Sequence, residues 1–324
     1  MAVTGDVLVL RALGLGDALT GVAALRGVRR AWPDRRLRLA GPAATGSWLR
    51  ALGVVDEVLV TDGLSPLDWH GTGHVAVNLH GRGPQSHAAL AATRPERLVA
   101  YATLEHADGP AWRADEHEVA RWCRLVTAAG GPCDAADLRL PVAPDTTTAP
   151  GTVLLHPGAA SGSRRWPADR WGAVARALVD AGHDVSLTGG PTERDLCATV
   201  VRHAARPVRV LAGTLDVPGL AAVVASARLV VCGDTGVAHV ATAVGAPSVL
   251  LFGPTPPRWW GPAVDVDRHV VLWHGDPARP GDPHGTAVDA ALAAITVDEV
   301  LAAAAPLLAA PVEPGRRAGL RVGP

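Results

Sequence analysis

At 324 residues the chain is long enough for about two domains, each with its own core. Hydrophobic residues make up 48% but aromatic residues only 4%, so the core must be built from Ala, Val and Leu, which excludes an intrinsically disordered chain. All 30 basic residues are Arg, and 31 acidic residues leave a formal charge of −1. Nothing in the bulk charge therefore attracts nucleic acid.

Without Lys, any phosphate clamp must use Arg, whose guanidinium offers planar, forked donors. Cys123, Cys133, Cys197 and Cys232 form no C-x-x-C pair and stand at no zinc spacing with His, so no metal site is expected. They read as reduced thiols of a cytosolic protein. The apolar run within Met1–Leu10 lacks the length and cationic start of a signal peptide, and no apolar stretch is long enough to span a bilayer. The expected place is the cytoplasm, with peripheral contact at the inner face of the membrane left open.

In chain order, Val7–Leu10 is a continuous apolar run and reads as a buried parallel strand. Residues 18–31 have helical apolar spacing, stopped by Pro33. Strands are expected at 36–40, 57–60 and 74–79, with a short helix at 47–52. Periodicity weakens over 104–140, apart from a helix near 116–129. Three prolines and three threonines within 141–150 mark a linker.

The alternation then restarts. Strands are expected at 152–155, 184–188, 208–211, 229–232 and 248–252, and helices at 168–180, 192–204, 217–226, 236–244 and 297–308. The expected fold class is α/β, with two Rossmann-like domains at 1–145 and 151–310 and a flexible tail at 311–324. Parallel sheets bind ligands beyond the carboxyl ends of their strands, so a site is expected in a cleft between the two domains.

Four strand-to-helix junctions carry candidate chemistry. In Arg11-Ala-Leu-Gly14-Leu-Gly16-Asp17, the glycines allow a tight turn and close approach of a ligand. Leu19 stands where a dinucleotide fingerprint needs its third glycine. Asp17 reads either as a helix N-cap or as a catalytic base. In His156-Pro-Gly158-Ala-Ala-Ser161-Gly162-Ser163-Arg164-Arg165-Trp166-Pro167, loop amides, the Ser161 and Ser163 hydroxyls and the Arg164 and Arg165 forks suit a phosphate. The alternative is a polar loop with two solvated arginines.

In Gly233-Asp234-Thr235-Gly236-Val-Ala-His239, a helix start offers free N–H groups and a positive dipole end. Here Asp234 can instead be a cap, and His239 a core histidine. In Gly189-Gly190-Pro-Thr-Glu193, the carboxylate suits ribose hydroxyls or simply favours a helix N-terminus. Trp259-Trp260 is either a sugar-stacking platform or a buried plug at a hinge.

Taken together, R-x-L-G-x-G-D, H-P-G…R-R-W-P, G-G-P-x-E, D-T-G-x-x-H-x-A-x-A-x-G-x-P and F-G-P-T resemble glycosyltransferase family 9, which contains the ADP-heptose:lipopolysaccharide heptosyltransferases. The resemblance spans about Val7–Pro262 and is most specific over Asp234–Pro247 with Phe252–Thr255. It implies a GT-B fold and an inverting transfer, without a metal or resident cofactor, from a nucleotide-diphosphate sugar, with ADP-heptose expected. The acceptor would be a glycan, glycolipid or small molecule.

The resemblance also implies residue roles. Asp17 matches the family's base. Arg164 stands where a Lys is common near the donor phosphates. Asp234, Thr235, Gly236 and His239 match the donor-binding segment, and Glu193 falls near the nucleotide ribose. Gly14, Gly16, His80 and Arg82 are assigned to the acceptor side apart from the resemblance, which offers no close match for His80-Gly-Arg82. Two alternatives stay open: a sugar-nucleotide epimerase on the same fold and a non-catalytic nucleotide-sugar-binding protein. A nicotinamide dehydrogenase is disfavoured by the incomplete glycine fingerprint.

Overall fold

A computed structural model describes residues 5–145 and 151–311. The last five residues of the expected linker and residues 312–324 of the expected tail lie outside the described residues. The chain forms two compact units, Met1–Leu138 with Pro257–Val264, and Arg139–Pro256 with Asp265–Pro324.

The first unit runs β1 (Val7–Leu10), α1 (Leu15–Thr20), α2 (Val22–Ala31), β2 (Leu37–Gly41), α3 (Ala43–Ala51), β3 (Glu57–Val60), β4 (Val75–Asn78), α4 (Gln85–Ala91), β5 (Arg97–Val99) and α5 (Glu118–Ala128). Its five strands are all parallel, in the order β3-β2-β1-β4-β5. Every residue of β1 and β4 is buried, as expected for central strands covered on both faces. Each fully buried Val or Leu contributes about 1.5–3 kcal/mol. The order turns back between β1 and β4, so the loops beyond their carboxyl ends diverge and leave a crevice.

The second unit runs β6 (Val153–His156), α6 (Ala168–Asp180), β7 (Val185–Leu187), α7 (Arg194–Ala204), β8 (Arg209–Val210), α8 (Val217–Ser226), β9 (Leu229–Gly233), α9 (Gly236–Val244) and β10 (Ser248–Leu251). After α10 (Pro257–Trp260), which belongs to the first unit, come β11 (His269–Leu272), α11 (Ala290–Ala294) and α12 (Val297–Ala309). Six parallel strands lie in the order β11-β10-β9-β6-β7-β8. Here the order turns back between β6 and β9, where His156 stands opposite Cys232. Trp166 and Trp171 pack edge to face at 5.2 Å in this unit's core.

Several sequence expectations change. The helix expected over 18–31 is two helices that meet at Gly21. A Cβ there would lie 2.8 Å from Arg11 Cδ, so glycine admits the buried Arg11 side chain. α4, β5 and β11 were not anticipated. They are short, and β5 carries an exposed Arg97, so none shows a long apolar period. Trp259 and Trp260 are half-buried and do not form a buried plug. The Trp259 indole donates to Asp115 at 2.6 Å, beside the Arg258–Asp115 ion pair.

Candidate active site

The first sheet's turning point is organised by Arg11, which follows β1 and is 1% exposed. Its Nε donates to the Asp17 backbone oxygen and its Nη1 to that of Leu79. Nη2 donates to Thr20 Oγ1 at 2.8 Å and to Glu118 Oε1 at 3.4 Å. The guanidinium also lies 5.0 Å from the Trp122 ring centre. Burial pushes Arg11 below its usual range, opposed by the carboxylates of Glu118 and Asp17. Thus one buried cation ties the ends of β1 and β4 to the start of α1.

Asp17 is the third residue of α1, whose N-cap is Gly14 without a side-chain cap bond. The N-cap reading of Asp17 is therefore replaced. The residue stands within the first turn, where the helix dipole favours a carboxylate. Gly14 is exposed and Gly16 half-exposed.

His80 Nδ1 accepts the Ala12 N–H at 3.2 Å, and the His80 backbone N–H donates to Asn78 Oδ1 at 2.9 Å. Burial, then the Arg11 charge, push the His80 imidazole below its usual range. It is therefore neutral near pH 7, with its proton on Nε2. Arg82, two residues on, is exposed and makes no hydrogen bond or ion pair among the described residues. The structure thus brings Asp17 and His80 around Arg11, while Arg82 extends outward.

The second sheet's turning point joins the loop after β6 to the start of α9. Arg164 Nη1 donates to the Asp234 carbonyl at 3.2 Å and lies 3.9 Å from its carboxylate. Arg164 Nε bonds Ser161 Oγ at 3.2 Å. The reading of two solvated arginines does not hold for Arg164, whose side chain is 21% exposed. Arg165 is exposed, with its Nε donating to the Ala159 carbonyl.

Thr235, and not Asp234, is the N-cap of α9, and it makes no side-chain cap bond. Asp234 is buried, while Thr235, Gly236 and His239 are half-buried along the first turn. Ser161 bonds the Pro283 carbonyl, and Ser163 is buried with its N–H on the Gly285 carbonyl at 2.9 Å. A Cβ at Gly162 would fall 1.8 Å from the Thr286 oxygen. The two serines therefore brace this loop under residues 283–286, and their hydroxyls are not simply open to a ligand.

Glu193 follows β7 and accepts the Gly190 N–H through Oε2 at 2.7 Å. A Cβ at Gly158 would lie 1.9 Å from Glu193 Oε1, so the β6 loop must carry glycine there to leave the carboxylate in place. His156 Nε2 lies 4.0 Å from Glu193 Oε2, and its Nδ1 pairs with Thr188 Oγ1 at 3.0 Å. Burial pushes His156 below its usual range, and Glu193 opposes this. His156, Thr188, Gly158, Arg11 and Glu118 were not singled out from sequence as site residues. For His156 and Arg11 the available signal was a polar residue directly at the end of an apolar strand.

Chemically, the first edge offers a carboxylate in a helix's first turn and a neutral imidazole. The second offers a held guanidinium beside an uncapped nine-residue helix start, suited to an anion. No cluster of three or more metal-ligating side chains occurs among the described residues, and no helix among them is long and apolar enough to cross a membrane.

The sequence profile described as glycosyltransferase family 9 (heptosyltransferase) matches residues 108–280. Lipopolysaccharide heptosyltransferase 3 of Escherichia coli is 34% identical over 127 residues. That match covers 38% of this chain and 37% of the relative, so little more than a third of the relative's length is matched. A family 9 glycosyl transferase structure from Veillonella parvula has a TM-score of 0.76 at 18% identity, covering 94% of this chain and 97% of that one. The structure of ADP-heptose lps heptosyltransferase II from E. coli has a TM-score of 0.73 at 19% identity, covering 94% and 98%. These likenesses show the fold class that the motifs implied, GT-B with two Rossmann-like domains.

Proposed function

The chain belongs to glycosyltransferase family 9, and on that premise we propose that it moves a sugar from a nucleotide-diphosphate donor to an acceptor hydroxyl, inverting the anomeric carbon. The carrying observation is the Arg164–Asp234 contact at the start of α9, a cation held where a helix exposes its N–H groups. The donor diphosphate lies against Arg164, Thr235 and Gly236, with His239 one turn along the helix. Glu193 takes the ribose hydroxyls; the Gly190 N–H holds its carboxylate and Gly158 leaves room for it.

In the proposed reaction, the acceptor oxygen attacks the anomeric carbon from the side opposite the leaving group. Asp17 takes the hydroxyl proton as the bond from sugar to diphosphate breaks. General-base help of this kind is worth about 10²–10⁴-fold. The departing nucleoside diphosphate gains negative charge, which Arg164 and the α9 N-terminus offset in place of a divalent metal. His80, gathered with Asp17 around Arg11, and the exposed Arg82 beyond it orient the acceptor.

ADP-heptose is the proposed donor, and a glycan, glycolipid or small molecule the acceptor. The proposed place of action is the cytoplasm, at the inner face of the membrane when the acceptor is a lipid. A thermal-shift screen of ADP-heptose against other ADP sugars and against UDP and GDP sugars tests this, since a ligand of the folded state raises Tm by mass action. ADP-heptose is expected to give the largest rise. Stabilisation by no nucleotide sugar would overturn the reading.

A further inference from the structure

In the second unit, the loop after β6 is bonded to a segment late in the chain, residues 281–289. The Ser163 N–H donates to the Gly285 carbonyl at 2.9 Å, and the Asp289 N–H donates to the Ser163 carbonyl at 3.2 Å. The two backbones lie so close that a Cβ at Gly162 would fall 1.8 Å from the Thr286 oxygen. Ser161 stands at this seam, half-buried, at the N-cap of the short turn Gly162–Arg164. Its hydroxyl makes no cap bond there.

A serine hydroxyl has one proton to give and two lone pairs to receive. Around Ser161 all three are used. The hydroxyl donates to the Pro283 carbonyl, accepts the Arg164 Nε–H at 3.2 Å and pairs with the Ser163 hydroxyl at 3.3 Å. A carbonyl can only accept, so the Pro283 bond takes the Ser161 proton, and Ser163 is the donor within the serine pair. Neither hydroxyl keeps a proton for a phosphate oxygen, which is itself an acceptor. What Ser161 holds instead is the guanidinium. Its Nε–H is fixed by Ser161 and an Nη1–H by the Asp234 carbonyl at 3.2 Å. Two such bonds fix the plane of the fork, and among the described residues three of its five N–H groups remain for an anion.

We propose that Ser161 is a positioning residue: it does not touch the donor but presets the Arg164 fork for the diphosphate. Its anchor is the Pro283 carbonyl, 122 residues further along the chain. Residues 281–289 thereby set donor affinity without contacting the donor. This inference rests on the transfer reading, in which Arg164 grips the diphosphate. Without the Ser161 hydroxyl, Arg164 regains side-chain freedom that the anion must then freeze out. Immobilising one long side chain on binding corresponds to about 3- to 10-fold in affinity. A role routed through Arg164 disappears when Arg164 is removed, whereas a direct contact with the donor, or a general bracing of the loop, does not.

The test titrates the full chain calorimetrically with ADP, and with UDP and GDP in turn if ADP does not bind. Ser161→Ala is expected to weaken binding about 3- to 10-fold. Ser161→Thr, which keeps the hydroxyl, should bind like the parent. In an Arg164→Ala background, adding Ser161→Ala should change the affinity no further. Parental affinity in Ser161→Ala overturns the proposal, as does a Ser161→Thr variant no better than Ser161→Ala. An equal loss from Ser161→Ala with and without Arg164 overturns it too, and gives the serine a role of its own. Binding of no nucleoside diphosphate by the parent is a separate outcome: it removes the transfer reading and this inference with it.

Discussion

Arg164 and Asp234 are 70 residues apart in sequence, yet the guanidinium of one donates to the carbonyl of the other at 3.2 Å. The contact joins the loop after β6 to the start of α9, where the strand order of the second sheet turns back. It places a cation at the helix end that already carries partial positive charge. The buried Asp234 carboxylate, 3.9 Å away, holds that cation in a fixed position.

Arg164→Ala is expected to weaken nucleoside diphosphate binding about 10- to 100-fold, because hydrogen bonds to charged groups are worth about 1.5–3 kcal/mol. The buried Asp234 carboxylate then loses the Arg164 charge 3.9 Å away and adds repulsion. Arg164→Lys should fall between the two, since a point charge replaces a fork. Calorimetric titration with ADP measures this, and an unchanged affinity rejects the clamp.

Asp17→Asn is expected to preserve donor affinity and lower kcat by about 10²–10⁴-fold. The substitution keeps the side chain's shape in the first turn of α1 and removes the proton acceptor together with the negative charge that faces Arg11. Steady-state transfer assays paired with donor titration separate the two effects. Parental turnover would leave Asp17 as a helix-dipole partner alone.

Glu118→Ala is expected to destabilise the first unit by about 3–5 kcal/mol, the cost of stranding a buried charge. Glu118 accepts from Arg11, from Arg121 and, at 2.6 Å, from the Trp122 indole. Its loss removes the ion-pair partner of the fully buried Arg11 and leaves only the more distant charge of Asp17 to offset it. Urea unfolding followed by tryptophan fluorescence reads the change; a loss below about 1 kcal/mol would show that Arg11 is satisfied by its carbonyl partners alone.

The second unit should weaken in acid through His269. Its Nδ1 pairs with Ser248 Oγ at 2.8 Å, Nε2 has no partner among the described residues, and burial pushes it down to about 4. The folded value lies below the unfolded value of about 6.5, so the unfolded chain takes up the proton first. Stability is therefore full above about pH 6.5, is lost as pH falls towards about 4, and levels off below that, for a total near 3 kcal/mol. His269→Gln should flatten this part of a Tm-against-pH curve. An unaltered slope would assign the acid sensitivity to other groups.

Much of the fold was legible in the chain because apolar period reports burial directly. The helices at 168–180, 217–226 and 236–244 match their expected bounds, and Val7–Leu10 and Glu57–Val60 match as strands. Each has either a sustained helical period or a bounded apolar run. β5, α4 and β11 were illegible because elements of three to seven residues offer too few periods to read.

Sequence alone determined the family motifs, the repeated strand–helix alternation and the location of the candidate residues at strand carboxyl ends. Those properties are local, set by residue type and spacing. Only the tertiary structure decided that Gly14 rather than Asp17 is the N-cap of α1, that Glu118 meets Arg11 from 107 residues away, and that Gly158 leaves room for Glu193. Such pairings depend on which strands become neighbours, and strand order is set by burial of the whole sheet, which no short stretch of sequence encodes.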